Sequence, residues 1–167
     1  AGTLPTELGL LSSMQGFSVR DNQLTGSIPS ELGQLTNMTD IHMYKNRLSA
    51  SLPTELGLLV SMSTLKVYDN QLTGRIPSEF GMLSGLYSLS LGNNSLTGKI
   101  PAEMALLLRN PVFDELDLEG NFLSGTVPSE FCDLGIYNKS SAVGLRFDCN
   151  PALCGCWCAC LNVSSDP

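Results

Sequence analysis

Six prolines fall in step along the chain: Pro5, Pro29, Pro53, Pro77, Pro101 and Pro128, at intervals of 24, 24, 24, 24 and 27 residues. Five asparagines keep the same beat, at Asn22, Asn46, Asn70, Asn94 and Asn121, with the same single slip of three. A fixed period of this size marks a solenoid, in which one unit is stacked on copies of itself. Each unit must bury its apolar positions against its neighbours rather than in one shared core. Such an architecture offers few preorganised pockets for chemistry and one long, regular surface for binding.

The unit reads clearly. Met62, Leu65, Val67, Asn70, Leu72, Gly74, Ile76 and Pro77 recur 24 residues later as Leu86, Leu89, Leu91, Asn94, Leu96, Gly98, Ile100 and Pro101. Leu65 and Val67 alternate with Thr64, Lys66 and Tyr68. That period of two predicts a short strand with one buried face. Asn70 then occupies an inward slot, where its amide must find partners. Tight bends supply them, so the stacked asparagines are expected to form an internal ladder. Gly74 marks a turn that needs backbone freedom. Pro77 is expected to open a short helical turn. The slip of three lies between Glu103 and Phe113 and predicts one extra helical turn before Asn110 and Pro111.

Over residues 1–131 this pattern resembles the plant-type leucine-rich repeat, LxxLxLxxNxLtGxIPxxLgxL. Deviations are few: Ala50 replaces a glycine, and several leucines become Met, Phe or Val. The resemblance implies an α/β solenoid, a right-handed superhelix with a parallel β-sheet on its concave face. The Leu-Thr-Gly-x-Ile-Pro segments would form a short side sheet, and 3-10 or helical turns would cover the convex face. Receptor-kinase ectodomains and polygalacturonase-inhibiting proteins share this pattern. About five units are expected in 1–131 without a polar N-terminal cap, followed by a cap at 132–167 that includes a last strand at 145–147.

The six cysteines, Cys132, Cys149, Cys154, Cys156, Cys158 and Cys160, all lie in that last segment. An even number packed into one end predicts three disulfides. The alternating C-x-C spacing lacks the paired knuckles of a zinc site, so no metal or cofactor is expected. This cysteine density departs from the cap of the plant family. Four glycosylation sequons begin at Asn37, Asn93, Asn138 and Asn162. Together with the cysteines they place the chain outside the cell or on its surface. No stretch is long and apolar enough to span a membrane, and no signal peptide opens the sequence. A net charge of −7 argues against a nucleic-acid partner.

Gly2 aligns with Gly26, so the chain opens inside a repeat. An uncapped end exposes an apolar cross-section, here including Leu4, Leu8 and Phe17. The expectation is that upstream residues are missing or that another molecule covers this edge.

Outward strand positions differ between units, and there a partner would be read. Tyr44 and Tyr68 share one column, His42 and Lys66 the next, with Arg20 at one end and Lys45 and Tyr87 nearby. Rings beside cations suit a peptide, protein or glycan. Asp114, Glu115, Asp117 and Glu119 crowd one strand. They read as a solvated charge run with Arg146 in the column beside Asp117, the alternatives being a basic ligand or a metal. The row Glu7, Glu31, Glu55, Glu79, Glu103 and Glu130 is explained by the first turn of a helix. The hydroxyl row Thr25, Ser49, Thr73, Thr97 and Ser124 is explained by backbone hydrogen bonding rather than by ice binding. His42 is the single histidine; with no nucleophile and orienting acid assembled around it, it is expected to be a surface residue in a protein that is not an enzyme. The reading is therefore a non-catalytic recognition module binding on its concave face. The rival reading is an extracellular matrix or fibre subunit that stacks through its N-terminal edge.

Overall fold

The computed structural model describes residues 2–133 and 144–148. Each repeat contributes a face strand and a side strand. In chain order these are β1 (Gly2–Thr3), β2 (Gly16–Ser18), β3 (Leu24–Gly26), β4 (Asp40–His42), β5 (Arg47–Leu48) and β6 (Thr64–Lys66). Then follow β7 (Thr73–Gly74), β8 (Ser88–Ser90), β9 (Ser95–Gly98), β10 (Glu115–Asp117), β11 (Phe122–Leu123) and β12 (Gly144–Arg146). The even-numbered strands form one parallel six-stranded sheet in the order β12-β10-β8-β6-β4-β2. Registers advance one repeat at a time, so that Ile41 pairs with Leu65 and Leu65 with Leu89. The odd-numbered strands form not one side sheet but two of three strands each, joined by an isolated bridge between Ser51 and Thr73. The break falls beside Ala50, which adopts φ +66° where its equivalents are glycines.

The inward series builds the core. Leu65, Val67, Leu72, Ile76, Phe80 and Leu83 are buried, as are their counterparts one repeat on. Each such side chain contributes about 2 kcal/mol on burial. In the first repeat Leu8, Phe17 and Val19 are only partly covered, while Leu4 is buried.

The turns between the sheets are 3-10, at Thr6–Leu10, Ser30–Gln34, Thr54–Leu58, Ser78–Met82 and Ala102–Arg109. Each proline stands one position before its turn, in an extended conformation; Pro77 has φ −62° and ψ 134°. Its carbonyl accepts the first turn hydrogen bond, from the Phe80 N–H at 3.2 Å. The last of these turns has eight residues against five elsewhere, which absorbs the slip of three. Successive turns touch at a glycine. A Cβ added to Gly33 would stand 2.5 Å from the carbonyl oxygen of Glu55, and the same approach recurs between Gly57 and Glu79.

The asparagine ladder runs through the backbone rather than from amide to amide. Asn94 Nδ2 donates to the carbonyls of Val67, Leu91 and Gly92, and its Oδ1 accepts the Leu72 N–H at 3.0 Å. Asn46 and Asn70 repeat the arrangement. Each amide thus satisfies groups that the bend leaves without partners.

Candidate functional site

The face of the six-stranded sheet brings together the residues singled out in sequence. Strand alternation turns positions 16 and 18 and their equivalents outward while 17 points to the core. Tyr44 and Tyr68 stack, with ring centroids 4.5 Å apart and planes 9° from parallel. Arg20 Nη1 donates to the Tyr44 hydroxyl at 2.9 Å, its guanidinium carbon 5.9 Å from the ring centroid. Stacked rings at this offset gain about 1 kcal/mol beyond their burial.

The cationic patch and the acidic strand are one network. Lys66 Nζ lies 3.4 Å from Glu115 Oε2, reaching from β6 over β8 to β10. It can do so because the strand between carries Ser88 and Ser90, whose side chains are short. Ser88 Oγ donates to the same carboxylate oxygen at 2.6 Å. Both serines point outward, yet they are only 1% and 3% exposed beneath these neighbours. Lys45 pairs with Asp21 at 3.8 Å, and the Tyr87 hydroxyl donates to Asp114 Oδ2 at 2.9 Å. That bond, given to the charged acceptor, raises the tyrosine's pKa above its usual value.

Arg146 compensates the crowded acidic strand mainly at Glu119. It stands in register with Asp117, but its Nε pairs with Glu119 Oε2 at 3.3 Å. Asp117 accepts the Glu119 N–H at 3.1 Å and has no cation in contact among the described residues. Its carboxylate lies over Gly92, both oxygens 3.0 Å from where a Cβ would stand. Burial holds its pKa above the usual carboxylate range, partly offset by the Glu119 N–H and Arg146, while the charges of Glu119 and Glu115 add to the rise.

His42 is more than a surface residue. Its ring sits 6.2 Å from that of Tyr44, and Nε2 is buried without a hydrogen-bond partner. Burial lowers its pKa, with Lys66 and Arg20 acting in the same direction against Asp40.

Of the sequon asparagines, Asn37 and Asn93 are exposed, and Asn138 and Asn162 lie outside the described residues. Cys132 lies in the α-helix Glu130–Asp133; the disulfides expected of it and the other five cysteines lie outside the described residues. Among the described residues no group of three or more His, Cys, Asp or Glu could hold a metal ion, and no helix is long and apolar enough to cross a membrane.

Against known proteins, the leucine-rich repeat profile matches residues 13–35, 61–83, 85–107 and 113–134. The chain belongs to the leucine-rich repeat family. No curated protein sequence matches it. Among solved structures it is similar to the ectodomain of a plant receptor kinase, GASSHO1/SCHENGEN3 of Arabidopsis thaliana, in complex with CASPARIAN STRIP INTEGRITY FACTOR 2. Identity there is 36% and the TM-score 0.76, over 80% of this chain and 16% of that one. It is also similar to the plant peptide hormone receptor RGFR1 in complex with RGF2, at 32% identity and a TM-score of 0.78, over 88% of this chain and 23% of that one. A plant ice-binding protein matches at 29% identity and a TM-score of 0.73, over 79% of this chain and 42% of that one. The chain thus spans less than half the length of each of these structures.

Within the leucine-rich repeat frame two features escaped the sequence reading. Asp148 accepts hydrogen bonds from the Gly120 and Asn121 N–H groups, at 2.9 and 3.2 Å, where inner repeats use a backbone carbonyl. Asp21, Lys45, Asp69 and Asn93 form a column in the left-handed region, with φ between 50° and 55°. An excess of Asp and Asn just before the inward asparagine was the available signal, since those residues tolerate this conformation; Lys45 hides it.

Proposed function

We propose that the chain is a non-catalytic extracellular recognition module that takes a peptide or protein segment along its strand face. The observation that carries this reading is the Tyr44–Tyr68 stack, held between Arg20 and the Lys66–Glu115 bridge on an otherwise open sheet. A rigid aromatic shelf loses little entropy on binding, and its neighbours fix orientation. Two similar solved structures, both plant receptors, are complexes with a peptide hormone or named factor, which supports the same use of the fold. The cysteine-rich end and the exposed sequons Asn37 and Asn93 support the extracellular setting.

The test is selection of displayed peptides against the protein, followed by affinity measurement with Tyr44, Lys66 and Tyr68 all replaced by alanine. A loss of tenfold or more is expected for the triple variant. Equal affinity of the selected peptides for both proteins removes the strand face as the binding site.

Ice binding is the second reading, favoured by the similar ice-binding protein and by the exposed hydroxyls of Thr25, Thr73 and Thr97. It is the weaker one. Thr25 and Thr97 donate to the carbonyls of Gly2 and Gly74, and Arg47, Arg75 and Lys99 interrupt the face. Thermal hysteresis indistinguishable from that of a control protein is the expected result.

A further inference from the structure

The strand face presents cations in the sequence, but the fold has already used most of them. Lys66 is held by Glu115, Arg146 by Glu119 and Lys45 by Asp21. Arg20 points at the Tyr44 hydroxyl. Among the described residues, the carboxylates that remain have neutral donors alone: Asp114 has the Tyr87 hydroxyl, Asp69 has Asn93, Asp40 has Thr39 and Asp117 has a backbone N–H. After internal pairing the face is acidic, and that excess is what a partner meets.

The column of Tyr44 and Tyr68 shows where. At one end of the stack the chain's own guanidinium, Arg20, caps Tyr44. One strand beyond Tyr68, the next position is Gly92, which adds no side chain. The stack therefore ends there, with the Asp117 carboxylate lying over that glycine. Tyr68 and Gly92 occupy neighbouring strands of one column, about 4.8 Å apart, and the Asp117 carboxylate reaches over Gly92 from the strand beyond. A guanidinium or ammonium group stacked on the free end of that column would lie over the carboxylate, about 3 Å from it and within about 6 Å of the Tyr68 ring centroid.

We propose that the partner is a basic peptide segment that docks an arginine or lysine side chain against the Tyr68 ring and over the Asp117 carboxylate that covers Gly92. This rests on the strand-face reading and gives the partner its chemistry. The burial that raises the Asp117 pKa is in keeping with a carboxylate that lacks a contacting cation. Arginine is favoured over lysine, because its planar head can stack on the tyrosine while pairing with the carboxylate.

The experiment measures fluorescence anisotropy of a labelled peptide carrying two arginines in a Gly-Ser background. Peptides with lysine or glutamate in their place serve as comparisons, at fixed ionic strength. The arginine peptide is expected to bind at least tenfold more tightly than the glutamate peptide. Asp117→Asn and Gly92→Lys are each expected to weaken it at least tenfold. Glu79→Gln, which removes the same charge from a convex turn, is expected to change affinity less than twofold. Asp117→Asn does not threaten the fold, and a melting curve run alongside separates lost binding from lost structure. Equal effects of Asp117→Asn and Glu79→Gln overturn the cation site, as does equal binding of the glutamate peptide. Tyr44→Ala with Tyr68→Ala distinguishes the two levels. If that pair abolishes binding while Asp117→Asn is silent, the strand face stands and the cation site falls. If neither acts, both fall.

Discussion

At the scale of single residues, Ala50 is the unit's one misfit. It holds φ +66° in a slot filled elsewhere by Gly26, Gly74, Gly98 and Gly125. A left-handed alanine costs about 1–2 kcal/mol, and glycine's freer unfolded chain returns about half of that. Ala50→Gly is expected to stabilise the protein by about 0.5–1 kcal/mol in urea titration. Asn94 is the opposite case. Truncating it to alanine strands the buried Leu72 N–H, while the Val67, Leu91 and Gly92 carbonyls keep Asn70, Asn121 and the Asp69 N–H as donors, and about 2 kcal/mol of stability should be lost in the same measurement. Protonation separates two further residues. The folded state depresses the His42 pKa, so as pH falls below 6.5 the unfolded chain binds a proton that the folded one resists. Stability is lost across that window, and His42→Gln should flatten the wild-type decline between pH 7 and pH 5. Asp117 runs the other way. Its raised pKa favours the folded state below the ordinary carboxylate range, and that advantage disappears as pH rises through the shifted value. Asp117→Asn should therefore stabilise the protein at pH 7 and lose its effect in acid.

At the scale of elements, the strands and turns were legible because each is dictated by a local period: alternation for the face strands, the proline for the turn, the extra three residues for the longer turn. What was not legible depends on pairs that only the stacking creates. Lys66 meets Glu115 across an intervening strand because Ser88 and Ser90 are small; nothing near Lys66 in sequence signals this. Arg146 passes over its register partner for Glu119, a choice made by side-chain reach. The glycine of each of the first four turns belongs to the same class, since its reason is the next repeat's backbone. Gly57→Ala would press a methyl against Glu79 and should cost about 2 kcal/mol by overpacking. Gly16→Ala, with open space around its Cβ, should stay within about 0.5 kcal/mol of wild type. Paired denaturation curves decide between them.

At the scale of the whole molecule, stability in a stacked array is a sum of units and the interfaces between them. The middle repeats have both neighbours, whereas Leu8, Phe17 and Val19 in the first have one side partly open. Hydrogen exchange should therefore be slowest in the amides of Leu65, Leu89 and their neighbours and fastest in β2, with local opening rather than global unfolding governing the first repeat. Uniform protection across the sheet would show a single cooperative block instead. The asparagine contacts also have a direction. Asn46 reaches back to Val19 and Leu24, Asn70 to Met43 and Leu48, Asn94 to Val67 and Leu72, and Asn121 to Leu91 and Leu96. Among the described residues, every side-chain partner outside the asparagine's own bend precedes it in the chain, whereas its backbone N–H bonds forward, as Asn46 does to the Asp69 carbonyl. A ribosome releases residues in that same order, so each asparagine side chain emerges when its acceptors and donors already exist. The amide contacts can be laid down course upon course during synthesis, while the backbone N–H groups of each bend wait for the next course to arrive.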